Sequence, residues 1–112
     1  MLYDLEQRTA GLAIEIINLC RVVPKNNINS PLIDQLIRSG TSIGANYTEA
    51  NGASSKKDFR NKIYLAKKEA METKYWLKLI ANSNNSLKER CLIIWKETHE
   101  ITLIFSKIIS RC

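Results

Sequence analysis

From Ser55 to Ala81 the chain has no glycine and no proline, and it places Phe59, Ile63, Ala66, Ala70 and Leu77 three, four or seven residues apart. That is the repeat of an α-helix, not the strict alternation of a strand. At about 1.5 Å per residue the helix is near 40 Å long. With 112 residues in all, the apolar stripe of such a rod can be buried only by laying other helices along it.

The remaining sequence supplies three partners. Leu5, Leu12, Ile16, Leu19 and Val23 share one side of a helix over Asp4–Val22, which Pro24 and the polar Lys25, Asn26 and Asn27 end. A second helix is expected to begin at Ser30 and Pro31: the hydroxyl accepts from free N–H groups of the first turn, and proline is tolerated there because its missing N–H is not needed. Leu32, Leu36, Ile43 and Tyr47 form its apolar side with Gly40 and Gly44. Each glycine costs about 1 kcal/mol relative to alanine in a helix, and close approach of a neighbouring helix is the expected compensation. Asn51 and Gly52 end it. Ser55 and Asp58 open the long third helix as a capping box, Asn82–Asn85 is a polar turn, and Ser86 with Glu89 is expected to cap a fourth helix. Cys91, Ile94, Ile101, Phe105 and Ile109 run along that fourth helix. The expected fold is all-α: an antiparallel up-down-up-down four-helix bundle, one domain over residues 1–112.

Composition narrows the function classes. The chain is 45% hydrophobic and 25% charged, as globular proteins are. Its three cysteines, Cys20, Cys91 and Cys112, form no C-x-x-C pair, and with one histidine there is no metal-ligand cluster. No metal or other cofactor is expected. The start of the chain lacks a signal-peptide pattern, and no apolar run reaches the ~18 residues of a membrane span. A reduced cytoplasm and no membrane partner are expected. The formal charge is +6, but residues 55–81 hold eight Lys/Arg against three Asp/Glu, whereas residues 1–54 hold four against five and residues 82–112 five against three. An excess confined to one segment points to an acidic partner meeting one face.

Within that segment Lys56, Arg60, Lys67, Lys74 and Lys78 are spaced four, seven, seven and four apart and fall in a narrow arc, flanked by Lys57, Tyr64, Lys68 and Tyr75. Lysines along a rod track phosphates, and tyrosines between them stack on unpaired bases. The alternative is a solvated helix face with tyrosines at the bundle edge. No zinc finger, helix-turn-helix or sheet-borne RNA motif is present, so sequence-specific readout is not expected. A second apolar set lies off the main stripes: Leu65, Trp76 and Leu79 on the third helix, Ile93 and Ile104 on the fourth, with Leu92 and Leu103 on another side. Exposed apolar side chains at helical spacing predict burial against a second copy.

The stretch SGTSIGANYTEA over residues 39–50 resembles the S-I-x-A-N-I-x-E-G motif of the small bacterial "four helix bundle protein" family, first described as encoded by intervening sequences in large-subunit ribosomal RNA genes. Ser42, Ile43, Ala45, Asn46 and Glu49 match; Tyr47 stands for the usual isoleucine and Ala50 for glycine. Ser55–Phe59 resembles the family's S-x-x-(E/D)-F, and Ala66, Lys67 and Glu72 fit its I-A-(K/R)-G-S-x-x-E, with Lys68 and Glu69 replacing Gly-Ser. The resemblance spans essentially the whole chain. It implies an up-down bundle that assembles as a ring of five, and kinship with the accessory proteins of diversity-generating retroelements, basic pentamers that bind nucleic acid and a reverse transcriptase.

Ser42, Asn46 and Glu49 share a helix face at spacings of four and three. With Glu72 approaching from the third helix, they are expected to make a structural hydrogen-bonded contact between helices or subunits, since no nucleophile, metal cluster or histidine accompanies the carboxylates. His99 is isolated between Glu97 and Glu100, and no Gly-rich phosphate loop exists. No enzymatic activity is expected. The leading expectation is a homo-oligomeric bundle that binds nucleic acid, RNA foremost, through the third helix. The competing one is a protein-interaction scaffold or ring-shaped adapter, for example to a reverse transcriptase.

Overall fold

The structure is a computed structural model that describes residues 4–112; the first three residues of the expected domain lie outside it. Four helices form: α1 Leu5–Val22, α2 Asn29–Asn51, α3 Lys56–Ser83 and α4 Lys88–Ser110. Their backbones approach in a closed circuit, α1 to α2, α2 to α3, α3 to α4 and α4 to α1, which is the expected four-helix bundle. Its extents are 44 × 23 × 19 Å. Leu5, Leu12, Ile16, Leu36, Ile43, Ile63, Leu77, Ile101 and Phe105 are almost fully buried along its axis. Tyr47 of α2 reaches Phe105 of α4 across the middle, ring centroids 6.2 Å apart.

The helix ends correct the sequence reading in two places. α2 begins at Asn29, before Ser30, because Asn26 rather than Ser30 supplies the acceptor: Asn26 Oδ1 accepts from the backbone N–H of Ile28 at 3.0 Å and of Asn29 at 2.8 Å. The expected Ser86–Glu89 box does not form. Asn85–Leu87 is a single 3-10 turn, and α4 opens from it at Lys88 with no side-chain cap. The Ser55 cap of α3 is as expected, its Oγ accepting from the Asp58 N–H at 3.0 Å.

Two polar contacts pin helices to one another inside the bundle. Thr73 Oγ1 donates to Ser39 Oγ at 2.9 Å, joining α3 to α2. At one end Asn29 and Asn84 exchange amide hydrogen bonds, both 2.9 Å; Asn29 also donates to Pro24 O and Asn84 to Ile80 O. The α1–α2 and α3–α4 connections are thereby tied together.

The glycines of α2 sit where α1 comes closest. A Cβ on Gly40 would lie 2.6 Å from Ile16 Cδ1 and 3.2 Å from Cγ2; on Gly44 it would lie 3.0 Å from Thr9 Oγ1 and 3.2 Å from Thr9 Cβ. Thr9 is held by its hydroxyl, which donates to Leu5 O at 2.7 Å, so it yields poorly. Nothing lies within 4 Å of a Cβ on Gly11 of α1. One chemical change is therefore expected to act with opposite signs. Gly11→Ala raises stability by up to about 1 kcal/mol through helix propensity. Gly44→Ala lowers it by about 1–2 kcal/mol through overpacking. Urea unfolding of the two variants measures both.

Candidate nucleic-acid interface

α3 presents its charge as the spacing predicts. Lys56, Lys57, Arg60, Lys68 and Lys78 are exposed, and Lys67 and Lys74 half-buried. Tyr64 and Tyr75 stand out at 56% and 55% exposure. Lys67 Nζ lies 5.9 Å from the Tyr64 ring centroid, and Tyr75 packs edge-on against Trp76 at 5.0 Å.

The arc turns towards α4, and there it meets His99, which the sequence leaves isolated, and Trp95, which no motif singles out. Lys74 Nζ lies 3.0 Å from His99 Nδ1 and 5.3 Å from the Trp95 ring centroid. An ammonium has only hydrogens to offer, so Nδ1 accepts and the imidazole proton sits on Nε2. His99 stacks on Trp95 with centroids 5.0 Å apart and planes 13° from parallel. His99 is thus not isolated: with Trp95 it forms the α4 wall of the row. The signal for this was present, because Trp95 and His99 are four residues apart on one face and lie roughly as far past the α3–α4 turn as Lys74 lies before it.

Five of the acids are paired with cations outside the row. Arg8 of α1 takes both oxygens of Glu97, at 3.0 and 2.8 Å, and Glu100 at 2.9 Å. The Glu97 hydrogen bond, reinforced by Glu100 against a burial cost, holds the guanidinium above the usual arginine range. Arg38 of α2 reaches Glu69 at 3.2 Å and Glu72 at 2.6 Å. Lys62 meets Glu49 at 2.9 Å, and that hydrogen bond raises its pKa. Among the described residues no acidic group lies within ion-pair distance of Lys56, Lys57, Arg60, Lys67, Lys68, Lys74 or Lys78. Single exposed ion pairs contribute about 0–1 kcal/mol to stability; their larger consequence here is where they leave net charge.

The motif residues act mainly on their own helix. Ser42 Oγ donates to Arg38 O at 2.6 Å and Asn46 Nδ2 to Ser42 O at 2.9 Å. Glu49 and Glu72 do link α2 with α3, but through Lys62 and Arg38, and the buried cross-helix hydrogen bond belongs to Ser39 and Thr73 instead.

The expected self-association set divides. Leu65 and Ile93 are exposed at 43% and 60%, and Leu92 and Leu103 join them at 48% and 55%. Ile104 is a correction: it is buried in the bundle core. It shares a flank of α4 with Glu97, seven residues earlier, and Glu97 meets α1 through Arg8, so that flank faces the bundle. Trp76 is half-buried against the core with its Nε1 unpartnered. Leu79 is half-buried and lines a cavity at the α3–α4 end. Burial pushes the Cys20 thiol from 9.0 up to about 11 and also raises Cys91; Cys112 is exposed.

Among the described residues no group of three or more His, Cys, Asp or Glu side chains is placed to hold a metal ion, and no described helix is long and apolar enough to cross a membrane. Fold and surface together define a four-helix bundle whose third helix carries a row of cations that have no acidic partner among the described residues. The chain belongs to the 23S rRNA-intervening sequence protein family, whose model matches residues 3–107; the resemblance read from the Ser42–Glu49 motif is borne out. It is also similar to a crystal structure of a protein of unknown function from the S23 ribosomal protein family of Bacteroides thetaiotaomicron VPI-5482. The two are 36% identical, the match covers 93% of this chain and 96% of that one, and the TM-score is 0.82. A comparison with curated proteins finds no match.

Proposed function

We propose that this protein is a non-catalytic, self-associating bundle that holds single-stranded or unpaired RNA along the basic flank of α3. The observation that carries the reading is the sorting of charge: Arg8, Arg38 and Lys62 take up Glu49, Glu69, Glu72, Glu97 and Glu100, while Lys56, Arg60, Lys67, Lys74 and Lys78 keep no acidic partner among the described residues. Tyr64 and Tyr75 beside them offer exposed rings for base stacking. The family name refers to intervening sequences of 23S rRNA and assigns no ligand; the choice of RNA as the polyanion rests on the exposed rings beside the row, which suit unpaired bases. Self-association rests on the exposed Leu65, Ile93 and Leu103, since apolar groups on helix faces gain from a covering surface. A ring of such subunits multiplies weak phosphate contacts through effective concentration.

The test is the salt dependence of binding to an unstructured RNA. Five phosphate contacts on a single strand give a slope of log K against log salt of about −3.5, roughly a hundredfold loss between about 50 and 200 mM salt. A slope near zero, or no retention at the lower salt, overturns the reading.

A further inference from the structure

The basic row runs into a cavity. At the end of the bundle where α3 hands over to α4, a space of about 630 Å³ opens between Leu77, Cys91, Leu92 and Trp95, with Lys78, Lys88 and Asn82 also on its lining. Ligand sites are of this size and kind: largely apolar walls with a few polar groups that fix orientation. We infer that this cavity receives one unstacked nucleobase of the strand lying along α3, an inference that rests on the RNA reading above.

Four features select a base over another occupant. Lys78 belongs both to the row and to the cavity, so a backbone tracking Lys67, Lys74 and Lys78 arrives at its mouth. Lys88 enters from α4 and likewise has no acidic partner within ion-pair distance among the described residues, so a phosphate can be held on each side of the inserted base. Asn82 is exposed on the rim, and its amide both donates and accepts, which suits the hydrogen-bonding edge of any base and explains capture without sequence preference. Trp95 is a rigid wall because His99 stacks on it. An aliphatic acid would match the apolar wall and one lysine but would leave the amide and the second lysine without a role.

The experiment compares a uridine dodecamer with a ribose-phosphate dodecamer of the same length that carries no bases, at low salt. The uridine oligomer is expected to bind about tenfold more tightly and to quench tryptophan fluorescence. That quench should disappear in Trp95→Phe, which retains Trp76. Leu92→Trp, at an exposed position where a larger ring fills the cavity without entering the core, should weaken the uridine oligomer about tenfold and leave the abasic one unchanged. Equal binding of the two oligomers with no Trp95 quench overturns the cavity proposal while the phosphate-tracking reading stands. Failure of both oligomers to bind overturns both. Quenching of Trp95 by dodecanoate but not by the uridine oligomer assigns the cavity to an aliphatic acid and also overturns the proposal.

Discussion

Reversing Lys56, Arg60, Lys67, Lys74 and Lys78 to glutamate together is expected to reduce RNA affinity by roughly a hundredfold or more at low salt, because five attractive contacts become repulsive ones. The bundle should survive. None of the five side chains is buried, none forms an ion pair whose partner would be stranded, and glutamate is nearly as good a helix former as lysine. The largest local losses are at Lys74, which gives up its hydrogen bond to His99 and its contact with Trp95, the second worth about 0.5–1 kcal/mol at a partly exposed site. Five reversals subtract ten from the formal charge of +6 and leave −4, so a general charge effect needs a control. Reversal of Arg21, Lys96 and Lys107, exposed cations outside the row, should cost far less affinity than reversal of Arg60, Lys67 and Lys78. Equal losses in the two triple variants would mean that net charge rather than the α3 row binds RNA.

The largest effect on stability is expected at Asn29. The residue is 2% exposed, and its side chain makes three hydrogen bonds, donating to Pro24 O and Asn84 Oδ1 and accepting from Asn84 Nδ2. Asn29→Leu keeps much of the volume but leaves the Asn84 amide and the Pro24 carbonyl short of partners in a partly buried place. Orphaned groups of this kind cost about 1–3 kcal/mol each, so a loss of about 2–4 kcal/mol is expected, or a fall in Tm of about 10 °C or more. Asn84→Leu alone should cost less, because Asn84 is only half-buried. The double variant should recover about 1 kcal/mol or more of the sum, since coupling between contacting residues is of that order. Strict additivity of the two changes would show that the amide exchange does not tie the loops together.

How much of this was readable from sequence follows from how local each cause is. The long apolar repeat of α3 and the short polar breaks decide the bundle, since helical period and chain length leave no other way to bury the stripes. The two glycines of α2 signalled a close approach, and Ile16 and Thr9 of α1 prove to be what approaches. The misread ends of α2 and α4 share one origin. Serine at each start promised a local cap, but Asn26 took the role for α2, and a 3-10 turn opened α4. The basic arc was visible as spacing. Its freedom from acids was not, because that depends on Arg8, Arg38 and Lys62 meeting carboxylates on other helices. Ile104 was misassigned because a helical wheel gives an angle within one helix but not which neighbour stands at that angle. The link of Lys74 to His99 and Trp95 likewise needs the register of α3 against α4, set by the turn between them.

The most direct measurement is an amide chemical-shift map of the labelled protein titrated with unstructured RNA. The largest shifts should follow Lys56, Arg60, Lys67, Lys74 and Lys78 along α3 and appear at Trp95 and His99 on α4, with the outer faces of α1 and α2 unmoved. Shifts centred on α1 or α2, or none at all while the RNA is retained, would contradict the assignment of binding to the α3 flank.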